Sequence, residues 1–172
     1  PMMNLDNVLE TCRRLPDIGI THRRTTISTV GWIPGIDRLA ETDMPIRLAL
    51  SLHAADPALR SRIMPVNDRY PLDEVLAACR RWNDAKHRMV YIEYVMLAGV
   101  NDRYEQALGL ARLLDPKVFK VNLIPYNPTP RREGSLGRGD LPSSPGLPAG
   151  MYDGSSPEAI EAFKDALEAN GI

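Results

Sequence analysis

"LALSLHAADPALRSRIMPVN", residues 48–67, begins as a strand and changes character before it ends. Leu48, Leu50 and Leu52 fall on one face and Ala49, Ser51 and His53 on the other, because successive side chains of a strand point to opposite sides. One face is apolar; the other is small and polar. Asp56 then offers a helix cap, with Pro57 at the first helical position. Two readings of the polar face compete: an ordinary half-exposed strand, or a strand whose polar side faces a bound molecule.

The same two-faced pattern recurs along the chain. The sequence predicts strands at residues 24–30, 46–52, 89–97 and 118–124. Their polar faces carry Thr26 and Ser28, then Ser51 and His53, then Tyr91 and Glu93, then Lys120 and Asn122, opposite Ile27, Leu48, Leu50, Ile92, Tyr94, Val121 and Leu123. Between them lie helical patterns. One starts at Asn4 and runs through Leu5, Val8, Leu9, Cys12 and Leu15 to Pro16. Others begin at Pro34 and at Asp56, a longer one covers 72–85, and another starts at Asn101 or Asp102 and runs toward Pro116. The last runs from Pro157 to about Ala169, capped by Ser155 or Ser156. Alternating elements of this kind predict a parallel α/β sheet.

Parallel strands covered on both sides read as continuous apolar runs, which these do not. The economical architecture is an incomplete (β/α) TIM-type barrel segment, helices outside and a polar inner surface facing a lumen or ligand. In that architecture the site lies at the C-terminal ends of the strands, where Ser28, Ser51, His53 and Asn127 all fall. Each has a plainer alternative. Ser28 and Ser51 suit bonds to neighbouring backbone, His53 suits a satisfied core position, and Asn127 suits a turn. Glu93 and Lys120 suit a buried structural pair.

The totals fit a soluble globular chain: 172 residues, 44% hydrophobic and 25% charged. With 21 basic and 22 acidic side chains the net charge is -1, so no overall field draws it to nucleic acid or membrane. There is no apolar run near 18 residues and no signal-peptide pattern, so the expectation is a cytoplasmic protein without a membrane partner. Cys12 and Cys79 lack metal-ligand spacing and read as core thiols. Residues 131–154, rich in Pro, Gly and Arg, read as a long loop that divides a body at 1–130 from a C-terminal helix at 155–172.

Four stretches taken together, "RRTTISTVGWIPGIDRLA", "LALSLHAADPALRSRIMPVN", "YIEYVMLAGVNDRYEQALGLARLL" and "VNLIPYNP", closely resemble the radical S-adenosylmethionine (SAM) enzymes that methylate C2 of an adenine in 23S rRNA and, in many members, in tRNA. The resemblance resumes in "SPEAIEAFKDALEANGI". It implies a partial barrel with SAM across its mouth, held by Ser28, by Ser51, Leu52 and His53, and by Asn127. It also implies a [4Fe-4S] cluster in the parent protein, whose Cys-x3-Cys-x2-Cys ligands this sequence lacks, as it lacks a methyl-carrying cysteine. Pro1 looks like the end of the family's Gly-Glu-Pro motif. The expectation is thus a fragment, inactive alone, of an enzyme whose partners are 23S rRNA and tRNA. Arg131, Arg132 and Arg138 are candidate RNA contacts, and the exposed barrel edges favour self-association. A non-catalytic RNA-binding or scaffold homologue and a small-metabolite barrel enzyme are the competing readings.

Overall fold

The computed structural model describes residues 1–127 and 152–172. Four strands, β1 (Thr26–Thr29), β2 (Arg47–Ser51), β3 (Val90–Met96) and β4 (Phe119–Pro125), form one sheet in the order β1-β2-β3-β4, and every pairing is parallel. Helices α1 (Leu5–Arg14), α2 (Ile33–Glu41), α3 (Pro57–Ile63), α4 (Leu72–Lys86), α5 (Tyr104–Leu113) and α6 (Pro157–Ala169) complete the fold.

Because each strand is added beside its predecessor and crossovers of this type are right-handed, the intervening helices fall on the same side of the sheet. Burial follows that rule. Ile27, Leu48, Leu50, Ile92 and Tyr94 are at most 4% exposed, whereas Thr26, Ser28, Lys120 and Asn122 on the other face are exposed. The core gathers the helix-facing side of the strands with Ile36, Leu39, Leu72, Val75, Leu76, Cys79 and Trp82 of α2 and α4. Phe163 of α6 reaches Tyr94, with ring centroids 5.3 Å apart. Both cysteines are buried, as their apolar spacing predicts.

Several ends differ from the sequence expectation. Strand β1 is shorter than 24–30 because residues His22–Arg24 wind into a 3-10 turn, with Arg24 N–H donating to Thr21 O at 2.9 Å. Asn4 stands before α1 but does not cap it: its Oδ1 accepts from the Asn7 side chain instead. Helix α5 begins at Tyr104, not at Asn101 or Asp102, because both of those side chains are engaged elsewhere. Asp56 and Ser156 do cap α3 and α6, accepting from Leu59 N–H at 2.7 Å and Ala159 N–H at 3.2 Å. The Glu93–Lys120 pair does not form. Asn122, directly opposite Glu93 in the register, donates to its carboxylate at 2.7 Å, and Lys120 sits two register positions away beside Tyr91.

Residues 131–151 of the expected loop, with Arg131, Arg132 and Arg138, lie outside the described residues. The segment that follows them is well tied. Gly154 bridges Leu97 in antiparallel fashion, Ala98 N–H donates to Asp153 O at 2.9 Å, and Ser155 Oγ donates to Asp102 Oδ2 at 2.7 Å. Tyr126 and Tyr152 meet edge to face with centroids 6.3 Å apart, so the two chain ends flanking residues 128–151 are already held together. Closure entropy grows only slowly with loop length. Replacing residues 128–151 with a short Gly/Ser linker is therefore expected to change Tm by no more than about 3 °C. A drop beyond about 10 °C in a thermal melt would show that the segment carries part of the core.

Candidate functional site

The ends of β1 and β2 are joined by one side chain that sequence patterns did not single out. Arg60 of α3 is 0% exposed. Its Nη2 donates to Val30 O at 2.9 Å, its Nε to Leu52 O at 3.3 Å and its Nη1 to Asn67 Oδ1 at 2.6 Å. No carboxylate partners it among the described residues. A buried cation needs its donors satisfied, and here carbonyl dipoles satisfy them. Burial lowers the guanidinium's affinity for its proton, yet arginine stays charged in proteins. Gly31 follows Val30 at φ +107°, and a Cβ there would lie 2.9 Å from Val75 Cγ2 of α4, so the turn packs closely on that helix. Thr29 Oγ1 secures the same turn by accepting from Gly31 N–H and Trp32 N–H.

A second tie joins β2 to β3. His53 adopts the left-handed conformation, φ 58°, and its Nδ1 accepts from Val95 N–H at 3.1 Å. A backbone N–H can only donate, so the ring proton sits on Nε2. Burial first, and then the charge of Arg60, push the imidazole pKa down from 6.5 to about 4. His53 is thus neutral at physiological pH. Asn101, 0% exposed, completes the junction. Its Nδ2 donates to His53 O and Val95 O, both at 2.8 Å, and its Oδ1 accepts from Leu97 N–H at 2.7 Å.

Next to these ties opens a cleft of about 360 Å³, lined by Ser28, Thr29, Val30, Ser51 and by Met2, Trp32, Val66, Arg69 and Tyr70, among others. That volume lies within the range of about 300–1,000 Å³ usual for small-molecule sites. Of the residues expected to form the site, Ser28 and Ser51 share this cleft. Leu52 is buried, and its backbone serves the Arg60 tie. His53 lies at the β2–β3 junction and does not line the cleft, and Asn127 is exposed just beyond β4. The polar face continues across the sheet through Glu93 and Asn122, paired in register with Ser51. Arg60 and Asn101 are the two that sequence reasoning missed. Nothing in the sequence separates Arg60 from Arg62 on the same short helix, and Asn101 and Asp102 are adjacent Asx residues, neither of which begins α5.

The donor set suits a polar nucleoside-sized molecule and not a metal cluster. Hydroxyls at Ser28, Thr29 and Ser51 both donate and accept, and the remaining wall is largely apolar. The chain has two cysteines, buried on α1 and α4, while an iron–sulfur cluster needs three or four thiolates around it. Burial pushes the Cys79 thiol up to about 12. Among the described residues no group of three His, Cys, Asp or Glu is placed to hold a metal ion.

No protein-family model matches the chain. Among solved structures it superposes, over 100% of its length and 46% of the other chain, on a radical SAM methyltransferase from Sphaerobacter thermophilus, with a TM-score of 0.85 and 39% identity. The fold is thus that of part of a radical SAM methyltransferase structure. Among curated proteins it is 49% identical to a probable dual-specificity RNA methyltransferase RlmN of Moorella thermoacetica, over 100% of this chain and 44% of that protein. The corresponding proteins of Symbiobacterium thermophilum and Desulfotalea psychrophila are 43% and 47% identical, each covered over 43% of its length. Over the part that it spans, the chain is similar to dual-specificity RNA methyltransferases. It spans less than half the length of these relatives.

Arg60→Met leaves Val30 O and Asn67 Oδ1 without this donor and Leu52 O with only the Ala54 N–H, and denaturant unfolding is expected to lose about 2–4 kcal/mol; a loss below about 1 kcal/mol would mean that water replaces it. His53 adds a pH signature. Its folded pKa lies below the unfolded value of 6.5, so the unfolded state binds the extra proton between the two values. Stability is full above about pH 6.5 and declines as pH falls toward 4. His53→Asn, which keeps an acceptor and tolerates the left-handed backbone, is expected to flatten that decline in unfolding measurements between pH 4 and 7; an unchanged slope would assign it to other groups.

Proposed function

We propose that this chain supplies part of the SAM-binding half-barrel of an RNA methyltransferase that methylates C2 of adenine in 23S rRNA and in tRNA. The observation that carries the reading is the open polar face of a singly wound parallel sheet, with Ser28 and Ser51 lining one cleft at its strand ends. The match to relatives named as RNA methyltransferases adds the substrate class.

Bound SAM supplies the methyl group and the source of the radical; the chain's own residues hold and orient it. Ser28 and Ser51 offer hydroxyls to the ribose and amino-acid parts of the ligand. Leu52 and His53 present the backbone of the β2 exit, kept in place by Arg60 and Asn101. His53, neutral and with its proton on Nε2, is a hydrogen-bond donor and not a base. Asn127 is assigned to the adenosine side of the site at the exit of β4. None of these groups acts as acid, base or nucleophile. The [4Fe-4S] cluster belongs to the parent protein, since the two cysteines here do not fit it.

Supporting a cytoplasmic setting, no helix among the described residues is long and apolar enough to cross a membrane. Strands β1 and β4 each pair on one side only among the described residues, which favours self-association of the isolated chain. In sedimentation at micromolar concentration we expect species larger than a monomer; a single sharp monomer boundary would overturn that point.

SAM titrated into isotope-labelled chain is expected to shift amide signals around Ser28, Ser51 and Asn127 only at about millimolar ligand, an affinity near -4 kcal/mol. Shifts confined to other regions would overturn the site, and binding at micromolar ligand would overturn its assignment as a partial one. Incubation with SAM and a reductant is expected to yield no 5'-deoxyadenosine; its formation would contradict the view that the chain alone is inactive.

A further inference from the structure

The cleft at the β1 and β2 ends has one charged side chain in its lining, Arg69. It is exposed and takes part in none of the ion pairs among the described residues. Its guanidinium lies 5.5 Å from the centroid of the Tyr70 ring, which also lines the cleft. Stacking on an aromatic face constrains the plane of the guanidinium while leaving its N–H edge available.

Arg69 is not held there by a loose loop. The 3-10 turn Pro65–Asp68 precedes it, and Arg69 N–H and Tyr70 N–H both donate to Val66 O, at 3.2 and 3.0 Å. Asn67 of that turn accepts from Arg60 Nη1, and its Nδ2 donates to Pro57 O at 3.2 Å and to Ser61 Oγ at 2.9 Å. The same buried guanidinium that joins the ends of β1 and β2 therefore fixes the turn that presents Arg69. Arg60 cannot meet a ligand itself, being 0% exposed with its donors directed at Val30 O, Leu52 O and Asn67. The other polar side chains lining the cleft are uncharged.

We propose that Arg69 is the anion-recognition residue of this cleft, pairing with the negatively charged group of a nucleoside-bearing ligand: the carboxylate of SAM or a phosphate of the RNA substrate. The inference rests on the functional reading above and adds to it the side chain that meets the ligand's charge. A planar guanidinium matches both groups bidentately, and charge-assisted bonds of that type are about twice as strong as neutral ones. A carboxylate facing only the hydroxyls of Ser28, Thr29 and Ser51 would lack that term.

The test compares the full chain with Arg69→Gln and Arg69→Lys, each first shown by thermal melting to unfold within a few degrees of the parent. Three probes are titrated and read by NMR or fluorescence anisotropy: SAM, its decarboxylated analogue, and a short RNA hairpin over a range of salt. If the carboxylate is the partner, Arg69→Gln weakens SAM about fivefold to tenfold, Arg69→Lys recovers some of the loss, and the decarboxylated analogue is unaffected. If a phosphate is the partner, SAM affinity is unchanged and the slope of log affinity against log salt for RNA falls by about one. Equal SAM affinities and equal RNA slopes overturn the inference while leaving the SAM-binding reading intact. A parent chain that binds neither SAM nor RNA overturns both.

Discussion

One buried guanidinium organises the functional end of this fold. Parallel strands leave their C-terminal carbonyls pointing away from the ladder, and those groups need donors wherever water is excluded. At the exits of β1 and β2 Arg60 provides them, reaching Val30 O and Leu52 O at once. Its fixed fork sets the separation of the two exits more tightly than two independent caps would. Ser28 and Ser51 hang from those exits, and the turn carrying Arg69 is held through Asn67. Remove the cation and three elements of the cleft lose their common reference. Lysine, a point charge on a flexible stem, is no equivalent.

Asn101 has the corresponding role at the next strand along. It holds the His53 carbonyl, the Val95 carbonyl near the end of β3 and the Leu97 amide with one side-chain amide, using both of its donor hydrogens and its oxygen. The two junctions meet at the Ser51–Leu52–His53 run, so that this short stretch is gripped from both sides. The left-handed backbone at His53, which strains a non-glycine residue, is tolerated because its ring nitrogen and carbonyl are both engaged.

The sheet was legible in the sequence because its strands carry period-two patterning with large apolar residues on one side. The element order and the parallel pairing follow from that alternation, and strands β2, β3 and β4 lie within a residue or so of the expected bounds. Strand β1 was overextended because Thr25 and Arg24 suit a strand, while the turn at His22–Arg24 is fixed by backbone bonds that leave no residue signature. Arg60 was illegible for the same reason: two of its partners are main-chain carbonyls, far from it in sequence, that any residue supplies. Asn101 and Asp102 both suit a helix start locally, before an amphipathic run, and only the tertiary arrangement shows the reach of Asn101 back to the exit of β2. Glu93 and Lys120 looked complementary by charge; register put Asn122 opposite Glu93 instead.

The winding of all crossovers to one side has a practical corollary for anyone dissecting the molecule. In β2 the even-numbered residues 48 and 50 look into the helical layer and the odd-numbered residues 47 and 51 look toward the open face, so neighbouring positions on one strand report on separate physical quantities. A mutational scan along it interleaves two experiments. Substitutions at 48 and 50, and at the buried Ala49 between them, read the cohesion of the scaffold, and those at 47 and 51 read what the scaffold presents.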